Sequence, residues 1–220
     1  NYERTVERAL KSVAWADEIC VVDSFSSDRT PEIARRYAAH FEQREWPGFR
    51  DQYQYASERC THDWVLFIDA DEEISPELAG EMQEQLSGRT QTPSNDALQG
   101  FRAPRRTFYL DRWIMHGGWV PDREIRLYNR RAGKWEGGLH ACVQVDGEVA
   151  DLEHFYYHYT YENLDDQLNT ISRYSDTAAR EMHESGRRAR IAHMLLKPPG
   201  HFLRDYVLKR GFRDGVPGLI

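Results

Sequence analysis

The sequence predicts an α/β protein built on a doubly wound, mostly parallel sheet, and three observations carry that expectation. Short apolar runs alternate with stretches of helical periodicity through the first half of the chain, the pattern of strand–helix–strand units. One such run, Val65-Leu66-Phe67-Ile68, stops abruptly at Asp69-Ala70-Asp71. This puts acids at the carboxyl end of a buried strand, where open α/β sheets bind ligands. Finally, 220 residues with 40% hydrophobic and 30% charged side chains are enough for one good core, alone or with a helical appendage.

The elements follow in order. Val6, Leu10, Val13 and Ala14 recur at helical spacing and predict a helix over 3–14. Residues 18–23, Glu-Ile-Cys-Val-Val-Asp, read as a buried strand ending in an acid. Ser27, Asp28 and Thr30 offer caps, and Pro31 fits a first helical turn, so a helix should run through Ala39. A short strand near 41–45 leads to the turn Trp46-Pro47-Gly48. A helix from Arg50 to Cys60 then precedes the strand that ends at Asp69. Ser75-Pro76-Glu77 caps a helix to about Leu86, followed by a polar loop over 87–97. Beyond it, strand-like pieces at 98–104, 123–129 and 141–158 are separated by Gly- and Trp-rich loops. Leu164, Leu168, Ile171, Ala178 and Met182 mark a long helix. The division expected is one half over 1–97, a second over 98–160 and C-terminal helices over 161–220.

Charge is unevenly spread. From Gly186 onward eight Lys/Arg face two acids, a balance of +6, which leaves −13 on residues 1–185 within the total of −7. A basic tail on an acidic body argues against a general nucleic-acid binder and suggests a local anionic partner such as phospholipid headgroups. In that tail Phe202, Leu203, Tyr206 and Val207 share a helical face, while Arg204, Lys209, Arg210 and Arg213 supply charge. This pattern suits a membrane-surface helix or a helix docked on a core. Three well-separated cysteines, Cys20, Cys60 and Cys142, predict a reducing compartment with neither a disulfide framework nor a zinc knuckle. No apolar run is long enough to span a bilayer.

Alternate residues of an extended strand point the same way, so Asp69 and Asp71 can converge on one point. Two hard carboxylates there suit Mg²⁺ or Mn²⁺ shared with substrate phosphates. Two solvated acids opening a loop is the plainer alternative. A phosphatase nucleophile is a third, disfavoured by Glu73 where Thr or Val is wanted.

With Asp23-Ser24-Phe25-Ser26-Ser27-Asp28-Arg29-Thr30, Trp46-Pro47-Gly48-Phe49 and Ile68-Asp69-Ala70-Asp71-Glu72, the chain resembles family 2 glycosyltransferases of the GT-A fold. Within them it is similar to the bacterial lipopolysaccharide core-biosynthesis branch, with ordered matches at Val21–Thr30, Arg44–Gly48, Ile68–Glu72, Pro104–Asp122 and Leu139–Gly147. The likeness covers nearly the whole chain. It departs at Gln52-Tyr53-Gln54, where the family prefers Gln-Lys/Arg-Asn, and at Ala141, where an acid usually follows the histidine. Asn1-Tyr2 falls where the family has an Asn-Glu pair, so the first strand is expected to be missing.

The resemblance implies an inverting, metal-dependent transfer of a hexose, glucose above all, from a UDP-sugar to a lipid-linked saccharide such as lipopolysaccharide inner core. The location implied is the cytoplasmic face of the bacterial plasma membrane, held peripherally. Asp23, Ser24 and Asp69 would contact the nucleotide, and Asp69, Asp71 and His140 the metal. Asp122 would act as general base. Arg105, Arg106, Arg112, Trp113, His116 and Trp119 would form the acceptor surface, because indoles stack on apolar sugar faces and guanidinium forks grip anions. A GT-A-like domain that binds an anionic glycan without turnover is the competing class.

Overall fold

The computed structural model describes residues 1–87, 98–188 and 190–220, which form two compact units. The first comprises 1–105 and 123–158; the second comprises 106–122 and 159–220.

In the first unit, α1 (Val6–Ser12), β1 (Cys20–Asp23), α2 (Thr30–Ala34), β2 (His40–Gln43), α3 (Phe49–Arg59) and β3 (Trp64–Leu66) alternate as expected. Helix α2 is shorter than predicted because the chain leaves it to bring Ala39 and His40 N–H onto the Ile19 carbonyl. That turn sets β1 and β2 parallel, with Cys20 opposite His40 and Asp23 opposite Gln43. An unpredicted strand, β4 (Glu72–Ile74), follows, then α4 (Pro76–Leu86), whose Ser75 cap accepts from Leu78 N–H at 3.1 Å. The expected polar loop lies, apart from Ser87, outside the described residues.

The later strands are β5 (Leu98–Tyr109), β6 (Arg112–Trp113), β7 (Arg123–Asn129), β8 (Gly133–Glu136), β9 (Cys142–Val145), β10 (Glu148–Asp151) and β11 (Tyr156–Tyr159). The α/β class holds, but the sheet is mixed where a mostly parallel one was expected. Strands β1 and β2, and β5 and β10, pair in parallel; β3–β7, β5–β7, β4–β11 and β8–β9 pair antiparallel. The single piece expected over 141–158 breaks into three strands at Asp146-Gly147 and at 152–155, and each pairs with a different neighbour: β9 with β8, β10 with β5 and β11 with β4. Gly133 is required where β8 crosses Tyr128, since a Cβ there would lie 2.4 Å from the ring.

The main core of this unit packs Leu78 and Met82, one turn apart on α4, against Ile74, Phe101, Leu127, Leu152 and Tyr156. Burying each such side chain contributes roughly 1.5–3 kcal/mol. A smaller cluster of Val6, Leu10, Ile33 and Ala34 receives both Val21 and Ala70, which seats the Asp69–Asp71 turn beside β1.

In the second unit, the end of β5 turns through Leu110 and Asp111, both at positive φ, into β6. A 3-10 turn, Gly117–Trp119, follows. The long helix is α5 (Leu164–Glu184), capped by Asn163 on Asp166 N–H. Then come α6 (Ile191–Phe202), a π-helical stretch Leu203–Leu208, a 3-10 turn Gly211–Asp214 and α7 (Val216–Leu219). The periodic apolar residues of α5 are half-exposed. On α6, Ile191, Met194, Leu195 and Leu196 are 67–76% exposed. Among the described residues no helix is long and apolar enough to cross a membrane.

Candidate active site

Asp23 closes β1 and is buried. Its Oδ2 accepts from Ser26 N–H at 2.9 Å and from Gln43 Nε2, its register partner, at 2.8 Å. Burial pushes the carboxyl up, but these bonds outweigh it and hold Asp23 below the ordinary aspartate range. Next to it, Ser24 Oγ accepts from Gln52 Nε2 at 3.2 Å. Gln52 is itself buried, and its Oε1 has no hydrogen-bond donor among the described residues. An unpaired buried acceptor is costly, and a ligand donor would satisfy it.

The Asp69–Glu72 segment differs from its expected form. The two aspartates do not sit on one extended strand; they flank a tight turn. Glu72 N–H donates to the Asp69 carbonyl at 3.0 Å, and Asp69 N–H donates to Glu72 Oε2 at 2.9 Å. Asp69 receives the Tyr53 hydroxyl and lies 3.8 Å from Arg126 Nη1. Burial raises its carboxyl above the usual range, Arg126 opposes this and the Asp71 charge adds to it. Asp71 Oδ2 lies 3.7 Å from His158 Nε2. His158 stands opposite Glu72 in the β4–β11 pairing.

Behind this turn is a buried ionic group that the sequence did not reveal. Arg126 Nη2 reaches Glu72 Oε1 at 2.5 Å and Glu124 Oε2 at 2.8 Å, its guanidinium lies 4.8 Å from the Tyr156 ring centre, and Arg105 supports Glu124 at 3.5 Å. His140 is exposed on the turn between β8 and β9. Among the described residues, no cluster with ligand atoms all within 4.8 Å joins it to Asp69 and Asp71.

The remaining predicted residues belong to the second unit. Arg106 lies on β5, and Arg112 and Trp113 form β6. Trp113 packs edge-on to Phe108 and Tyr159 at 5.1 and 5.8 Å, and Trp119 packs edge-on to Tyr109 at 5.3 Å. Asp214, buried and unanticipated, gathers the loop between them. It accepts Met115 and His116 N–H at 3.0 and 2.7 Å, lies 3.0 Å from His116 Nδ1, and offers its carbonyl to Arg112. Asp122 is half-buried just before β7.

Residues 1–143, which include every catalytic, nucleotide and metal candidate, match the family model described as "Glycosyl transferase family 2". The chain belongs to glycosyl transferase family 2. Across its full length this family 2 protein is 28% identical to the lipopolysaccharide core biosynthesis glycosyltransferase LpsC of Rhizobium meliloti, covering 82% of that protein. It is 26% identical to uncharacterized glycosyltransferases of Rickettsia typhi and Rickettsia prowazekii, covering 78% of each. Among solved structures, glucosyl-3-phosphoglycerate synthase from Mycobacterium tuberculosis superposes with a TM-score of 0.52 at 18% identity, over 86% of this chain and 78% of that one. The fold of this family 2 glycosyltransferase is GT-A, and a C-terminal helical part accompanies it.

Proposed function

We propose that this chain is an inverting, divalent-metal-dependent hexosyltransferase that uses a UDP-sugar, glucose for preference, and acts on a lipid-linked saccharide of the lipopolysaccharide inner-core kind. The observation that carries this reading is the charge balance around the Asp69–Glu72 turn. Four carboxylates (Asp69, Asp71, Glu72 and Glu124) face two guanidiniums (Arg126 and Arg105), and Arg126 and Arg105 are engaged by Glu72 and Glu124. Carboxylates outnumber guanidiniums in this group, and Asp69, 3.8 Å from Arg126, and Asp71 offer the hard oxygen donors that Mg²⁺ or Mn²⁺ takes together with phosphate oxygens. The residues fit such an ion. When bound, it stabilises the charge that develops on a departing diphosphate. His158 is the imidazole already beside Asp71; His140 is the one suggested by sequence.

The chain's own groups supply the rest. Asp23 and Ser24 accept donor hydroxyl or N–H groups of the nucleoside, with Gln52 Oε1 offering a further acceptor. The Asp122 carboxylate takes the proton from the acceptor hydroxyl as its oxygen attacks the anomeric carbon and the bond to the diphosphate oxygen breaks. Arg105, Arg106, Arg112, Trp113, His116 and Trp119 hold the acceptor. The exposed apolar residues of α6, with the basic tail, support contact with an anionic membrane surface, on the cytoplasmic side where UDP-sugars are found.

The test is thermal stabilisation by UDP-, GDP- and CMP-sugars, each with Mn²⁺ and with EDTA, followed by UDP release from the best donor. Stabilisation confined to a UDP-hexose with metal supports the assignment; indifference to EDTA removes the metal from it.

A further inference from the structure

Remote from the acidic turn in sequence, the first unit gathers a second set of metal-ligating side chains that the cysteine spacing did not suggest. Among the described residues, Cys20 Sγ, Cys60 Sγ and a carboxylate oxygen of Glu18 lie within 4.8 Å of one another. Cys20 opens β1, Cys60 follows the last residue of α3, and Glu18 stands in the turn before β1. We propose that these three residues bind one borderline-soft divalent cation, Zn²⁺ by its chemistry, with His40 beside them.

Glu18 is already held in place. Its Oε2 accepts Thr61 N–H at 2.7 Å and Thr61 Oγ1 at 3.1 Å, while Oε1 lies 3.1 Å from His40 Nε2. His40 is the register partner of Cys20 across the β1–β2 pair, so the imidazole and the thiol come from adjacent strands at one level. The thiols make long contacts, 3.7 Å each, to the Arg59 and Ala56 carbonyls, and Cys20 also hydrogen-bonds Cys60 and Glu18 within the cluster. Tetrahedral Zn²⁺ with bonds of about 2.3 Å to sulfur needs sulfurs about 3.8 Å apart, which the 4.8 Å limit on this cluster accommodates. Two thiolates select Zn²⁺ over the hard ions suited to Asp69 and Asp71. On binding, each thiol gives its proton to solvent, two protons per ion. The ion would fasten the start of β1 to the end of α3, and so act on stability.

The test uses the full chain, reduced and stripped with chelator, titrated with Co²⁺ and then Zn²⁺. A thiolate-to-cobalt charge-transfer band saturating at one equivalent, bleached by Zn²⁺ and accompanied by a higher Tm, is expected. Cys20→Ser and Cys60→Ser each remove the band, Cys142→Ser keeps it, and His40→Ala weakens binding by about 10-fold or more. Should the serine variants not fold, Zn²⁺ must protect two of the three thiols of the unaltered chain from alkylation. Absence of the cobalt band, its persistence in Cys20→Ser, or a Cys20–Cys60 disulfide formed in its place overturns the proposal.

Discussion

Arg126 and Glu72 form an ion pair at 2.5 Å with side chains only 4% and 1% exposed, joining the middle of β7 to the strand that follows the acidic turn. Breaking one partner of a buried pair strands the other charge. Arg126→Met should therefore cost about 3–5 kcal/mol in urea unfolding, and the double variant Arg126→Met/Glu72→Gln should recover part of it. A single variant as stable as the parent would mean that water reaches Glu72 and the pair is not a buried one.

Asp69→Asn and Asp71→Asn should each remove most of the metal-dependent UDP affinity while leaving unfolding midpoints near the parent value. Replacing His158 and His140 separately by Ala identifies the imidazole involved. Because His158 already lies 3.7 Å from Asp71, its loss should weaken Mn²⁺-dependent binding more. Isothermal titration with UDP, in Mn²⁺ and in EDTA, reads all four variants; equal affinities in both buffers for the unaltered chain would sink the assignment.

Asp122→Asn should lower kcat by about 10²–10⁴-fold, the range of general-base contributions. Donor binding should stay intact, because a base acts in the transition state. Turnover within a few-fold of the parent takes Asp122 out of the mechanism.

Asp23 gives a pH signature. Its folded carboxyl sits below the ordinary value, so its contribution to stability is complete above the unfolded pKa and is lost as pH falls through the depressed one. Urea midpoints followed downward from about pH 6 should fall less steeply in Asp23→Asn than in the parent. Gln43→Leu, which deletes a donor to Oδ2, should move the Asp23 titration upward by carboxylate NMR. An unmoved titration would mean that Gln43 does not set it.

Membrane contact is testable on α6 itself. Ile191, Met194 and Leu195 changed to Ser should abolish co-sedimentation with anionic vesicles at low salt without changing UDP binding. Each basic residue near such a surface is worth about 1 kcal/mol, so attachment should be reversible and salt-sensitive. Failure of the parent chain to sediment ends the membrane reading.

Much of the first unit was legible because its cues are local. Strand–helix alternation, the Ser75-Pro76 cap and the apolar run into Asp69 all lie within a few residues of what they specify. The site was legible only as far as chain neighbours could show it. Glu72 and Glu73 are identical acids in sequence, yet the β4 alternation buries the first with Ile74 and leaves the second partly exposed. The deciding partner of Glu72 lies 54 residues away. His158 stands in sequence among aromatic residues, Phe155 to Tyr159, and only the pairing of β11 with β4 sets it beside Asp71. The tail's basic excess and its apolar positions are a pattern visible in the sequence. That pattern says nothing of Asp214, an acid whose importance comes from the 98 residues separating it from His116.

That clasp changes how the stretch around Asp214 should be regarded. With Asp214 holding Arg112, Met115 and His116, the chain from 209 to 214 is a fastening for the loop and not a loose strand of backbone. A protease nick after Lys209 or Arg210, a few residues upstream, would free the loop that carries His116 and Arg112 while sparing every residue of the first unit. Such a clipped protein should keep its nucleotide affinity and lose its hold on the acceptor.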